Sequence, residues 1–219
     1  MVKGAGYLQL ARFLDLAEIY FKKRGLLIEA DFPTGTPSGP VSLFEFGDFN
    51  ADYLVFCDGY HLYKNTLFEF VGMKPAKGEL LLIHAPDLSE EFILNKRVFV
   101  LPVGAHHFKV GSTYEWGDLS ESPTKEGRES IIERLEDLIR VDYTVEEHWA
   151  GVRPTVSDRR PVLGRHPKYS NVFVFNGLGT KGVMLAPKLA SQMAHFLAHN
   201  TVVFPREADV ARFFRNADL

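Results

Sequence analysis

A chain of 219 residues with 46% hydrophobic and 24% charged side chains has an ordinary globular composition, and its length suits one large domain or two small, interlocked ones. A net charge of -3 without a basic run argues against a nucleic-acid partner, no apolar stretch reaches the roughly 20 residues that span a bilayer, and the start lacks a signal-peptide core. Cys57 is the single cysteine, which excludes an intrachain disulfide and a thiolate metal cluster and fits a reducing, cytoplasmic setting.

In chain order, residues 7–24 read as an amphipathic helix. Leu10, Phe13, Leu14, Ala17 and Phe21 recur at helical spacing, and Gly25 stops them. Residues 26–30 form a strand candidate, 33–40 a turn-rich stretch, and 41–46 an alternating strand broken at Gly47 and Asp48. The run DYLVFC at 52–57 reads as a buried strand emptying into Asp58-Gly59. Strand candidates follow at 79–84, 97–101 and 106–112, expected to build an antiparallel or mixed sheet. Residues 123–140 read as a second helix with Ile131, Ile132, Leu135, Leu138 and Ile139 on one face and Ser122 or Thr124 as its cap. Residues 143–149 and 171–175 are further strands, and an apolar helix is expected over 183–197. A short amphipathic piece closes the chain at 208–214.

Between the 171–175 strand and that last helix lies Gly177-Leu178-Gly179-Thr180-Lys181-Gly182, a G-x-G-x-x-G spacing. Glycines permit positive φ and close approach of a ligand, and the helix start adds partial positive charge. The spacing is not an ordinary dinucleotide fingerprint, because no convincing strand with an acidic residue follows the helix. The alternative is a turn that only tightens strand-to-helix packing.

The segment WAGVRPTVSDRRPVLGRHP at 149–167, followed by NVFVFNGLGTKGVMLAP at 171–187, resembles the C-terminal signature of the FAD-dependent D-amino-acid oxidase/glycine oxidase superfamily. Weaker echoes are ADYLVFCDGY at 51–60, KGEL at 77–80, and Leu101-Pro102 with VGSTYE at 110–115. The resemblance implies an α+β fold. A remnant of an FAD-binding α/β domain, residues 1–60 and 149–219, would carry an inserted antiparallel or mixed-sheet substrate domain over 61–148. It also implies FAD as cofactor, a small amine or amino-acid substrate, and oxidation by hydride transfer to the flavin. The family's N-terminal nucleotide-binding turn has no counterpart before Gly4. The expectation is a missing N-terminal segment or a partner chain that completes the site. A partner should then find an exposed apolar patch near 52–57 and 171–175.

By the same resemblance Arg153 binds the substrate carboxylate, a task that a guanidinium performs through paired hydrogen bonds. Read from the residues alone, Arg153 equally suits a partner such as Asp158. Gly177, Leu178, Gly179, Thr180, Lys181 and Gly182 would face the flavin. Thr180 stands where glycine oxidases carry an extra arginine, which puts glycine itself in question as the substrate. Tyr114, with Trp116, could wall the pocket, although aromatic packing is the plainer role. His106 and His107 fall on one strand with opposite faces, so one of them, His106 being the candidate, could reach the pocket. No catalytic acid–base pair and no metal-ligand spacing stands out among the remaining histidines. The competing function is a non-catalytic module of the same fold that binds a carboxylate or a partner.

Overall fold

The computed structural model describes residues 3–4, 6–30, 44–46, 49–200 and 204–216. The expected turns at 33–40, the strand start at 41–43 and the break at 47–48 lie outside the described residues. Helix α1 is Leu10–Lys22. Gly25 ends it at φ 64, with Leu26 N donating to Phe21 O at 3.0 Å, the closure that a left-handed residue allows. The amphipathic face that the sequence shows is not covered: no residue of α1 is buried, and Leu16 is 57% exposed. Residues 26–30 form no strand, and Leu26, Leu27 and Ile28 are exposed.

Strands β1, Phe44–Phe46, and β2, Phe49–Ala51, form an antiparallel hairpin. Strand β3, Leu54–Phe56, joins β9, Val162–Arg165, and β10, Val172–Asn176, in a three-stranded sheet ordered β3-β10-β9. β10 runs parallel to β3 and antiparallel to β9. Its NVFVF run is apolar throughout because both faces are covered. Val172 and Val174 pack with Phe56, Phe68 and Val162, while Phe173 packs with Leu163, Leu189 and Met193. The apolar patch expected near 52–57 and 171–175 is therefore largely buried by this chain's own 3-10 turns, Gly59–Lys64 and Thr66–Val71, and by its last helix. Among the described residues, α1 carries a run of exposed apolar side chains, Phe13, Leu14 and Leu16 among them.

The second sheet has five antiparallel strands. These are β4 (Ala76–His84), β5 (Leu94–Asn95), β6 (Phe99–Gly104), β7 (His107–Gly111) and β8 (Thr144–Arg153), ordered β5-β6-β7-β4-β8. Period-two alternation turns Leu81, Ile83, Phe108 and Val110 toward helix α2, Lys125–Glu136, where Ile131 and Leu135 meet them. Thr124 rather than Ser122 caps α2, its Oγ1 accepting from Gly127 N at 3.0 Å. Glu79, at the β4 end of that face, takes the Thr124 N–H at 3.0 Å and the Thr124 hydroxyl at 2.8 Å, tying helix start to sheet. Helix α3, Gly182–His199, begins one residue before the expected position and includes Pro187. The closing piece is a 3-10 turn, Val210–Asn216.

Candidate functional site

Two elements meet at the end of β8. Arg153 is the last residue of that strand, opposite Ala76 on β4. Two residues along β4, Gly78 leaves the space into which the arginine lies: a Cβ built there would fall 2.0 Å from Arg153 Nη2. Arg153 Nη1 donates to Lys77 O at 3.1 Å and Nη2 to Ser112 Oγ at 2.7 Å. The guanidinium carbon lies 5.0 Å from the Tyr114 ring centre, and Trp116 packs on Tyr114 at 4.6 Å. Burial pulls the Arg153 pKa below its ordinary value, with Tyr114 acting weakly the other way. The group remains a cation at working pH.

The alternative pairing with Asp158 is not formed. Asp158 accepts from Arg212 Nε at 2.8 Å and from Arg160 N at 3.1 Å. Among the described residues Arg153 makes no ion pair; a carbonyl and a hydroxyl hold it and leave donor positions for an incoming anion.

The glycine turn adjoins this arginine through the next residue: Gly179 N donates to Pro154 O at 3.1 Å. Gly177 (φ 70) and Gly179 (φ 53) adopt the left-handed conformation, and a Cβ would crowd Val162 at 2.9 Å or Thr155 at 3.1 Å. These two glycines therefore serve the packing of the turn. Gly182 differs. Its φ of -54 is helical and its Cβ position has only ordinary contact with Leu178 at 3.4 Å, so the described fold does not demand a glycine there.

Next to it, Val183 and Met184 in the first turn of α3 are 49% and 70% exposed. At the mouth of the turn, buried Asn176 Nδ2 has no hydrogen-bond partner among the described residues. A glycine without an internal reason, an uncovered apolar helix start and an unsatisfied buried donor together fit a flat, polar-edged group seated against this turn. Lys181, exposed, lies at the N-terminal end of α3, where the helix dipole also favours negative charge.

His106 belongs elsewhere. It is not on a strand: it lies in the β6–β7 turn at φ 58, exposed, its N–H donating to Glu90 Oε1 at 3.2 Å. β4 pairs His84 with His107 at that end and Ala76 with Arg153 at the other. That places His106 roughly 27 Å from Arg153 at about 3.4 Å per strand residue. A His-His pair reads as strand only if the preceding residues stay extended, and Gly104 and Ala105 (φ 101 and 51) do not.

Ser112 and the Lys77 carbonyl as the supports of Arg153, and Gly78 as its berth, are not among the residues that the sequence singles out. The available signal was a glycine two residues from the strand position that faces the arginine, in the KGEL segment.

Residues 6–196 match the family described as FAD dependent oxidoreductase, DAO. A glycine oxidase of Bacillus subtilis (strain 168) is 27% identical over 206 residues, covering 90% of this chain and 53% of its own length. The chain thus spans about half the length of the curated relatives it matches. The fold is similar to that of glycine oxidase from Geobacillus kaustophilus (TM-score 0.62, 22% identity, 75% of this chain, 45% of that one). It is also similar to that of iminodiacetate oxidase from Chelativorans sp. BNC1 (TM-score 0.61, 23% identity, 72% of this chain, 46% of that one). With its α+β architecture and its match over most of its length, the chain belongs to the DAO family of FAD-dependent oxidoreductases.

Proposed function

We propose that this chain supplies the substrate sheet and the flavin-side glycine turn of an enzyme that oxidises an amine or amino acid bearing a carboxylate. In this reading residues 1–60 and 149–219 belong to the cofactor-binding part and 61–148 to the substrate part, with β8 carrying Arg153 from one to the other. A reducing, cytoplasmic setting accords with the lone Cys57. The observation that supports the reading most is the pre-set guanidinium of Arg153, held by Lys77 O and Ser112 Oγ, one residue before the Pro154 carbonyl that receives Gly179 N–H.

Arg153 binds the carboxylate through its remaining donors and sets the α-carbon's place. Tyr114 limits the pocket beside it. Gly177, Leu178, Gly179, Thr180, Lys181 and Gly182 would hold the ring portion of FAD, with the α3 dipole and the Lys181 charge favouring negative charge there. Bound FAD would supply the hydride acceptor. No protein acid–base pair is required beside it.

The test follows flavin absorbance of the FAD-loaded protein, mixed without oxygen with glycine, N-methylglycine and D-alanine. Amino-acid-dependent bleaching that weakens about a hundredfold in Arg153→Met supports the proposal. Binding of these carboxylates by a protein that takes up no FAD would favour the non-catalytic module.

A further inference from the structure

A second cation shares Tyr114 with Arg153. The guanidinium carbon of Arg159 lies 5.6 Å from the same ring centre that Arg153 approaches at 5.0 Å. Arg159 stands in the turn after β8, closed by its N–H donating to Val156 O at 3.0 Å, at φ 56. Its acidic neighbour Asp158 is taken by Arg212, and among the described residues Arg159 has no ion pair. Beside it a recess of about 480 Å³ is lined by Lys74, Tyr114, Trp116, Thr155, Ser157 and Arg159, with two cations and no carboxylate in the lining. Lys74 is fixed at its backbone, its N–H donating to Thr155 O at 2.8 Å.

A left-handed, non-glycine residue at the tip of a turn is uncommon, and a bulky cation there places a charge at the cost of backbone strain. Two cations, Arg153 and Arg159, thus approach one aromatic ring, and the recess that Arg159 lines has no acid in its lining.

We infer that the ligand of this chain is a dicarboxylate: Arg153 takes one carboxylate, and Arg159 with Lys74 takes the other beside Tyr114. The inference rests on the assignment of Arg153 made above and extends it to the substrate class, an amino acid or secondary amine with a second acidic arm. The aromatic walls, Tyr114 and Trp116, would line the methylene span between the two ends.

Titration calorimetry on the 219-residue protein at low salt, with valerate, succinate, glutarate and adipate as ligands, separates the possibilities. The expected result is that the best-fitting diacid binds about tenfold more tightly than valerate. That ratio falls to near one in Arg159→Gly, a substitution that the left-handed backbone favours and that therefore leaves the fold intact. Lys74→Gln, which touches no backbone constraint, lowers it partway. Diacids no tighter than valerate, or a ratio that survives Arg159→Gly, overturn the inference. Inorganic phosphate binding that depends on Arg159 without any diacid preference also overturns it, because the recess is then a separate anion site. Valerate affinity unchanged in Arg153→Met removes the parent assignment instead, whatever Arg159 does.

Discussion

The hydroxyl of Ser112 accepts a hydrogen bond from Arg153 Nη2 at 2.7 Å, across 41 residues of sequence, and with the Lys77 carbonyl it fixes the plane of the guanidinium. A fork held by neutral acceptors keeps its charge uncompensated and its remaining donors turned to whatever enters. Ser112→Ala removes one of the two supports without removing charge. On the proposed function, the expected outcome is about a tenfold loss of carboxylate affinity, read by titration calorimetry, and recovery in Ser112→Thr.

Two glycines on the five-stranded sheet and its helix tell different stories when given a methyl group. At Gly78 the new Cβ would fall 2.0 Å from the Arg153 guanidinium, the mobile end of a long side chain. Gly78→Ala should leave the fold close to its original stability and displace the arginine. A melting temperature within a few degrees of the parent, with carboxylate binding weakened by tenfold or more, is the expected pair of readings.

At Gly127 the same methyl would fall 2.3 Å from Glu79 Oε2. That carboxylate is 4% exposed and has no room to yield, since Thr124 N, Thr124 Oγ1 and His148 Nε2 (2.8 Å) all hold it. Gly127→Ala should destabilise by about 2–4 kcal/mol, seen as a fall of about 5–15 °C in melting temperature. An unchanged melting temperature would show that the helix start shifts freely, against the tie that Glu79 makes.

Stability should depend on pH through His166. Its Nε2 lies 2.8 Å from Leu67 O, and its Nδ1 accepts from Lys168 N at 3.1 Å, so the ring is held in its neutral form. Burial lowers its pKa, against the opposing pull of the Leu67 carbonyl. The unfolded chain therefore takes up this proton first, and the unfolded value is about 6.5. The contribution is whole above that pH and is lost as the pH falls below it toward the folded value. The drop in melting temperature between pH 8 and pH 5.5 should be smaller in His166→Gln than in the parent.

Helix α1 presents Phe13, Leu14 and Leu16, each more than half exposed. Phe13→Lys with Leu14→Lys should change the melting temperature of this chain by less than about 2 °C, since surface changes cost within about 0.5 kcal/mol. Leu81→Ala, at 0% exposure under α2, should cost about 2–5 kcal/mol in the same assay.

Much of this protein was decided by local pattern. The 3.6-residue period placed α1 and α2, the apolar run NVFVF placed β10, and the W-x-G-x-R-P and glycine-turn motifs pointed to Arg153 and the 177–182 turn as candidates, because each depends on residues near one another in sequence. What required the tertiary structure depends on contacts between distant segments. Only the register of β4 against β8 brings Gly78 under Arg153. Only the turn at Ala105 carries His106 off its strand to the far end of the sheet. Only the packing of α3 and the 3-10 turns buries the faces of β10, while the equally apolar face of α1 stays uncovered. Periodicity reveals that a face is apolar, but whether another element covers it is settled by long-range packing, which no local window of sequence contains.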